Sequence, residues 1–280
     1  MKITVDHSTT YRYQFPVQLE PHTFRLQPRM SANQRLLAYD LQITPEPAGS
    51  TESLDQDGNL AHYAWFQDPT TSLHVRSRFT VENLRENPFD FFLVNDSLHL
   101  PLWYREPLST ALFSYRLDAN VTPAVRQFAQ SLANAANGDV LAFLSALTNE
   151  IFHSYRPITR VDGAPWTSDY TLRAREGSCR DLAVLFCDAS RVMGIAARFV
   201  SGYEYASAGQ TQSYMHAWAE VYLPSAGWRG YDPSRGLAVT KSHVAVAAAF
   251  HSDLASPIAG IYTGGSYSHM EATIRLTANT

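Results

Sequence analysis

Glu176-Gly177-Ser178-Cys179-Arg180-Asp181 stands where irregular chain gives way to a helical stretch that should start near Ser178, run to Met193 and stop at Gly194. The thiolate, not the thiol, is the useful nucleophile, and an ordinary cysteine is mostly protonated at neutral pH. The first turn of a helix offers unpaired N–H groups and the positive end of the macrodipole, both of which favour the anion. Gly177 permits a tight turn and the close approach of a substrate. The plain alternative is a small buried hydrophobe, the usual fate of a free cysteine. Cys187, two helical turns further on among Leu185, Phe186 and Ala189, fits that inert role.

Downstream, Met215-His216-Ala217-Trp218-Ala219-Glu220-Val221-Tyr222-Leu223 reads as a strand. Period two puts His216, Trp218, Glu220 and Tyr222 on one face, and Ala217, Ala219, Val221 and Leu223 on the other. The small apolar row should face the core, and the polar row a cleft, with His216 at its edge. Pro224-Ser225-Ala226-Gly227 is a turn, and Trp228 to Asp232 is the returning strand. The hairpin brings Asp232 alongside the strand that holds His216. A carboxylate there can fix the imidazole tautomer and stabilise the imidazolium. Singly, a strand histidine is ordinarily a structural group, and Asp232-Pro233 ordinarily starts a turn. In the order Cys, His, Asp, the three suit a thiolate–imidazolium pair oriented by a carboxylate.

Outward from this segment the chain divides by pattern. Ile3 and Val5 alternate with polar neighbours, as do Leu41-Gln42-Ile43, Leu60 to Phe66 and Leu73 to Val81. Asp57-Gly58-Asn59 is a hairpin signal, and Thr44-Pro45-Glu46-Pro47 is a breaker. Residues 1–105 are therefore expected to form a β-rich amino-terminal domain, a small sandwich. Glu82 to Pro107 is an aromatic- and Pro-rich crossover. Thr122-Pro123 caps a helix with Val125, Phe128, Ala129 and Leu132 in register. Asn137-Gly138-Asp139 ends it and caps a second, whose stripe is Val140, Phe143, Leu144, Leu147 and Ile151. Strands return from Ala197 to the alternating Ala272-Thr273-Ile274-Arg275-Leu276, so residues 106–280 are expected to form an α+β core.

The 280 residues carry 22 basic and 26 acidic side chains without long runs of either sign, which offers no footprint for nucleic acid or an anionic membrane. Two cysteines in one segment make no disulfide framework, and no Cys/His spacing points to zinc. No apolar stretch is long enough to span a bilayer, and the first residues lack the pattern of a secretory signal. A cytoplasmic location, no cofactor and no bound metal are the expectations, with a peptide or protein as substrate. Oligomeric state is not legible.

Four ordered blocks, Gly177 to Asp181, Arg191 to Tyr203, His216 to Tyr222 and Gly227 to Ser234, resemble the bacterial branch of the transglutaminase-like superfamily. The first hundred residues loosely resemble the β-rich domain that often precedes this core. The resemblance implies a papain-like α+β core in which a cysteine opens a helix packed on an antiparallel sheet. It makes Cys179 the nucleophile, His216 the base and Asp232 the third member of a triad, for acyl transfer through an acyl-thioester. Serine at 234 and Arg180 depart from the commonest pattern, and no Asp-rich loop suits calcium. An oxyanion hole should use the Cys179 N–H and an upstream donor; Tyr155 and Trp166 are candidates, but neither falls in a matching motif, so neither is assigned, and their ordinary reading is core or cleft-wall aromatics.

The leading expectation is a cysteine peptidase or amidase. The same residues would serve a protein-glutamine transglutaminase or deamidase, because a triad fixes the acyl-enzyme and not the acceptor. A third reading is a binding protein that keeps the fold without turnover.

Overall fold

The computed structural model describes residues 1–93, 98–160, 163–206, 211–212 and 214–279. Two packed sheets form the amino-terminal region. The larger has the long first strand, Lys2–Leu19, at its centre, with Thr70–Asn83 on one side and Ser268–Asn279 on the other. Gln34–Thr44 extends it beyond Thr70–Asn83. The smaller orders Ile258–Ala259, His22–Phe24, Leu60–Trp65 and Gly49–Leu54. Leu54 pairs with Leu60 across the hairpin at Gly58, whose φ of 73° suits glycine. Val17, Leu19, Phe24, Ala64 and Leu73 fill the space between the sheets, as their alternation requires.

The last strand closes this sheet against the first. Lys2 pairs with Asn279 and the register holds to Tyr13 opposite Ser268. Chain from both ends of the sequence therefore makes one sheet. On its inner face Ile3 and Val5 are followed by His7 and Thr9, all buried. The alternation continues while its chemistry changes from apolar to polar.

The helices fall where capping and stripe placed them. Pro123–Ala135 starts after Thr122, but that hydroxyl donates to Asp169 at 2.8 Å and makes no cap. Val140–Ser154 is capped by Asp139, which accepts from the Ala142 N–H at 2.7 Å. Val140, Phe143, Leu144, Leu147 and Ile151 are fully buried. Cys179–Val192 is the central helix, ending before Gly194 at φ 75°. Of the aromatic crossover, 94–97 lie outside the described residues. Among the described residues no helix is long and apolar enough to cross a membrane.

The third layer is an antiparallel sheet ordered Leu237–Ala238, Gly227–Asp232, His216–Leu223, Ala197–Glu204 and His243–Ala249. Ala219, Val221 and Leu223 face the helical core. The opposite row does not line a cleft along its length. Trp218 is 1% exposed, its ring lying over Gly202, where a Cβ would come within 2.6 Å of it. Of this row, His216, at the strand's start, opens into the same cavity as Cys179. Ile3, Val5 and Phe79 of the large amino-terminal sheet pack on Tyr203, Val244 and Val246 of this one. At about 1.5–3 kcal/mol for each large apolar side chain buried, that seam holds the two parts in a fixed relation.

Candidate active site

Cys179 is the first residue of its helix and is partly exposed. The turn before it is fastened by Asp181, which is 0% exposed. One carboxylate oxygen accepts from the Ser178 N–H and hydroxyl at 2.8 and 2.7 Å. The other accepts from Arg160 Nη1 at 2.6 Å and the Trp166 N–H at 2.7 Å. A buried carboxylate needs this full set of donors, and in return it fixes the loop that presents the sulfur. Gly177 serves packing: a Cβ there would lie 2.9 Å from the Asp181 Cβ. Arg180 donates to the carbonyls of Gly163 and Arg160, tying the neighbouring loop to the same turn.

The hairpin register brings the histidine and the aspartate together. Ala219 pairs with Tyr231 and Glu220 with Gly230, so continuing the ladder sets Asp232 beside Trp218, one diagonal step from His216 on the same face. His216 Nε2 donates to Asp232 Oδ2 at 2.5 Å. The other oxygen of Asp232 accepts from the Ser234 hydroxyl at 2.7 Å and from the N–H groups of Ser234 and Arg235 at 3.0 and 3.2 Å. Asp232 therefore starts the turn and orients the histidine at once, one oxygen for each. Serine at 234 supplies the hydroxyl donor.

Electrostatics follow from this bonding. Burial alone would raise the Asp232 carboxyl, but hydrogen bonds from His216 and His243 outweigh it and hold it well below the usual carboxylate range. Burial alone would depress the His216 imidazole. Hydrogen bonds and charge from Asp232 and from the Cys179 sulfur prevail and raise it to about 10. With Nε2 committed to Asp232, Nδ1 is the ring nitrogen left for the sulfur. Cys187 behaves differently: it is buried in the helical core, and burial pushes its thiol up to about 12.

His243 is a member of this group that no motif in the sequence marked. Its Nε2 lies 3.0 Å from Asp232 Oδ2, and its Nδ1 lies 3.0 Å from the Ser242 hydroxyl. Glu204, paired with Arg235 at 2.7 Å, sits 3.9 Å from His216 Nε2. His216, Asp232 and His243 also present three ligand-type atoms within 4.8 Å of one another. Both imidazole Nε2 atoms, however, approach one carboxylate oxygen at N–H···O distances, a geometry that holds protons and not a cation.

Cys179 and His216 open into a cavity of about 670 Å³. Its far wall comes from the amino-terminal sheet: His7, Thr9 and Tyr11 of the first strand, and Met270, Ala272 and Ile274 of the last. His7 is bonded to Tyr203 at 2.7 Å and to Thr9 at 2.8 Å, and burial lowers its pKa to about 4. Neither Tyr155 nor Trp166 is among the described residues lining the cavity. Tyr155 is a core side chain, and Trp166 lies under Arg160 and edge-on to Tyr170, so neither is placed to donate to an oxyanion there.

A helix opening on a cysteine, packed on an antiparallel sheet that carries a His–Asp pair, defines a transglutaminase-like, papain-like α+β protein. Residues 126–233 match the transglutaminase-like superfamily, and residues 3–82 match the bacterial transglutaminase-like N-terminal region. Residues 126–233 thus belong to the transglutaminase-like superfamily, preceded by a bacterial transglutaminase-like N-terminal region. A Mycobacterium tuberculosis protein described as uncharacterized is 29% identical over 292 residues, covering 96% of this chain and 90% of that one. The protein-glutamine gamma-glutamyltransferase of Pseudomonas aeruginosa is 28% identical over 129 residues, covering 42% of this chain and 19% of that protein. A solved structure from Cytophaga hutchinsonii, named as a candidate cysteine protease, has a TM-score of 0.71 at 17% identity, covering 100% of this chain and 92% of that one. That likeness concerns the fold alone.

Proposed function

We propose that this protein performs thiol-dependent acyl transfer on amide or peptide bonds, as a cysteine peptidase or amidase, with Cys179 as nucleophile, His216 as base and Asp232 as orienter. The observation that carries this reading is the His216 ring, bonded to Asp232 through Nε2 and lining the same open cavity as Cys179. An imidazole raised to about 10 is an imidazolium at neutral pH, the partner a thiolate needs.

The thiolate attacks the carbonyl carbon, and the negative charge moves to the carbonyl oxygen. The Cys179 N–H, in the first turn of the helix, is aligned with the dipole that stabilises that oxygen. The tetrahedral intermediate collapses, the carbon–nitrogen bond breaks, and the His216 imidazolium gives its proton to the departing amine. Water then loses a proton to the neutral imidazole and attacks the thioester, releasing the acid and restoring the thiolate–imidazolium pair.

Amine in place of water would make the same acyl-enzyme a transglutaminase. The name of the Pseudomonas aeruginosa relative supports that second reading over the matching segment. The experiment is a screen of peptide amides and glutamine-bearing proteins with and without monodansylcadaverine, followed by mass spectrometry of the protein. An acyl adduct on Cys179, absent in Cys179→Ala, is the expected result. Release of free acid selects the hydrolase, and amine incorporation selects the transferase. Turnover undiminished in Cys179→Ala would overturn both.

A further inference from the structure

A second cavity, of about 410 Å³, lies against the same sheet and shares no lining residue with the first. Arg29, Arg85, Arg198, Arg229 and Lys241 line it, against one carboxylate, Glu220. The chain as a whole carries a net charge of -4, so this concentration of cations runs against the average.

Three of the five are already engaged. Arg198 pairs with Glu220 at 2.6 Å and stacks 4.1 Å over the Trp228 ring. Arg29 donates to Asn59 and to the Asp57 carbonyl. Lys241 pairs with Glu86 at 2.9 Å. Arg85 and Arg229 have no ion-pair partner among the described residues; Arg229 lies 4.7 Å over the Phe91 ring, and its Nε is buried without any hydrogen-bond partner. Burial lowers both guanidinium pKa values, and the charge of Arg85 lowers Arg229 further; Asp90 acts the other way on both, and Glu220 on Arg85, without reversing either shift.

The Arg229 Nε–H is a buried donor, and buried donors are normally satisfied. Two guanidinium forks match the planar, bidentate edge of an oxyanion. A carboxylate would neutralise one of the two charges and a phosphate dianion both. The volume exceeds what a bare ion fills and falls within the range of small-molecule sites.

We propose that this cavity is a binding site for a phosphate dianion, free or carried by a small phosphomonoester, held by Arg85 and Arg229. The proposal stands apart from the acyl-transfer reading and holds whether or not Cys179 turns over.

The test is calorimetric titration of the full chain, at fixed ionic strength, with inorganic phosphate, ribose 5-phosphate and adenosine monophosphate. Saturable one-to-one binding of at least one probe is expected, weakened ~10-fold or more in Arg85→Gln and in Arg229→Gln, the loss of a charge-assisted bond. Phosphate binding as tightly as the esters identifies the free ion as ligand, and tighter binding of an ester identifies the carried group. The rate of Cys179 alkylation should be the same in both variants as in the parent. Arg85 is partly exposed in irregular chain beyond the strand Thr70–Asn83, so Arg85→Gln is expected to keep the parent Tm and decides the matter even if Arg229→Gln fails to fold. No saturable binding of any probe up to ~10 mM, or binding that Arg85→Gln leaves intact, overturns the proposal.

Discussion

His243 Nε2 lies 3.0 Å from Asp232 Oδ2, the same oxygen that His216 Nε2 meets at 2.5 Å. An ionised carboxylate only accepts, so both imidazoles donate through Nε2, and His243 Nδ1 is left to accept from the Ser242 hydroxyl. His243 thus acts on the cavity through Asp232 and does not line it. It is a positioning residue. His243→Phe keeps a ring of similar bulk and removes the donor. The expected result is a fall of ~10-fold in kcat with KM unchanged, and recovery in His243→Gln, whose amide restores an N–H. Equal losses in both variants would mean that the ring matters only as packing.

The pairing of His216 and Asp232 sets the pH dependence. His216 has its pKa raised to about 10, above that of free imidazole, so its interactions stabilise the fold fully below pH ~6.5 and fade as pH rises towards 10. Asp232 is shifted the opposite way. Its contribution is present above the ordinary carboxylate range and is lost as acid titrates it. The alkaline limb of kcat/KM is therefore expected near pH 10. Asp232→Asn should lower kcat/KM by ~10²–10⁴-fold and move that limb down towards neutrality. An alkaline limb that stays in place in the variant would detach it from His216.

Alkylation separates the two thiols. Cys179 lines an open cavity beside an imidazolium, and Cys187 is 2% exposed with its thiol pushed up to about 12. With iodoacetamide at neutral pH, Cys179 should be modified more than ~100-fold faster, read by peptide mass spectrometry. Similar slow rates at both sites would remove the basis for nucleophilic chemistry.

What the sequence disclosed was whatever local signals encode. The helix expected from Ser178 to Met193 is Cys179–Val192, because cap, apolar stripe and terminal glycine all lie within it. The hairpin placing Asp232 beside His216 was legible for the same reason: its turn and both strands lie within one short segment. His243 was not. It stands in the Ala-rich run His243–Ala249, and it reaches Asp232 only because that strand flanks Ala197–Glu204 in a sheet whose order no local pattern states. The pairing of Ser268–Asn279 with Lys2–Tyr13 was hidden likewise, since alternation marks a strand but not its partner. The polar row of His216 and Trp218 read as facing a cleft because burial by a distant segment leaves no trace in periodicity. Gly202 makes that burial possible by what it lacks.

Asp181 offers a stability test away from the reacting atoms. It is 0% exposed and satisfies donors from Ser178, Arg160 and Trp166. Asp181→Ala leaves the Arg160 charge and two backbone N–H groups without their acceptor. A loss of about 3–5 kcal/mol in urea unfolding is expected, the range for breaking one side of a buried charge pair. A change below ~1 kcal/mol would show that water or another acceptor reaches these donors.

The amino-terminal sheet walls the Cys179 cavity, so it should shape what enters. Ala272 lines that wall from the last strand and pairs with Thr9 of the first. It is partly exposed, and a larger side chain there would grow into the cavity and not into the sandwich core. Ala272→Trp is expected to raise KM several-fold for a peptide substrate, with little change in kcat, because it blocks binding space without touching the sulfur or the imidazole. An unchanged Tm would confirm that the sheet is intact. If kcat and KM both stay at parental values, substrate does not approach Cys179 along this wall, and the amino-terminal sheet supports the core without selecting what it acts on.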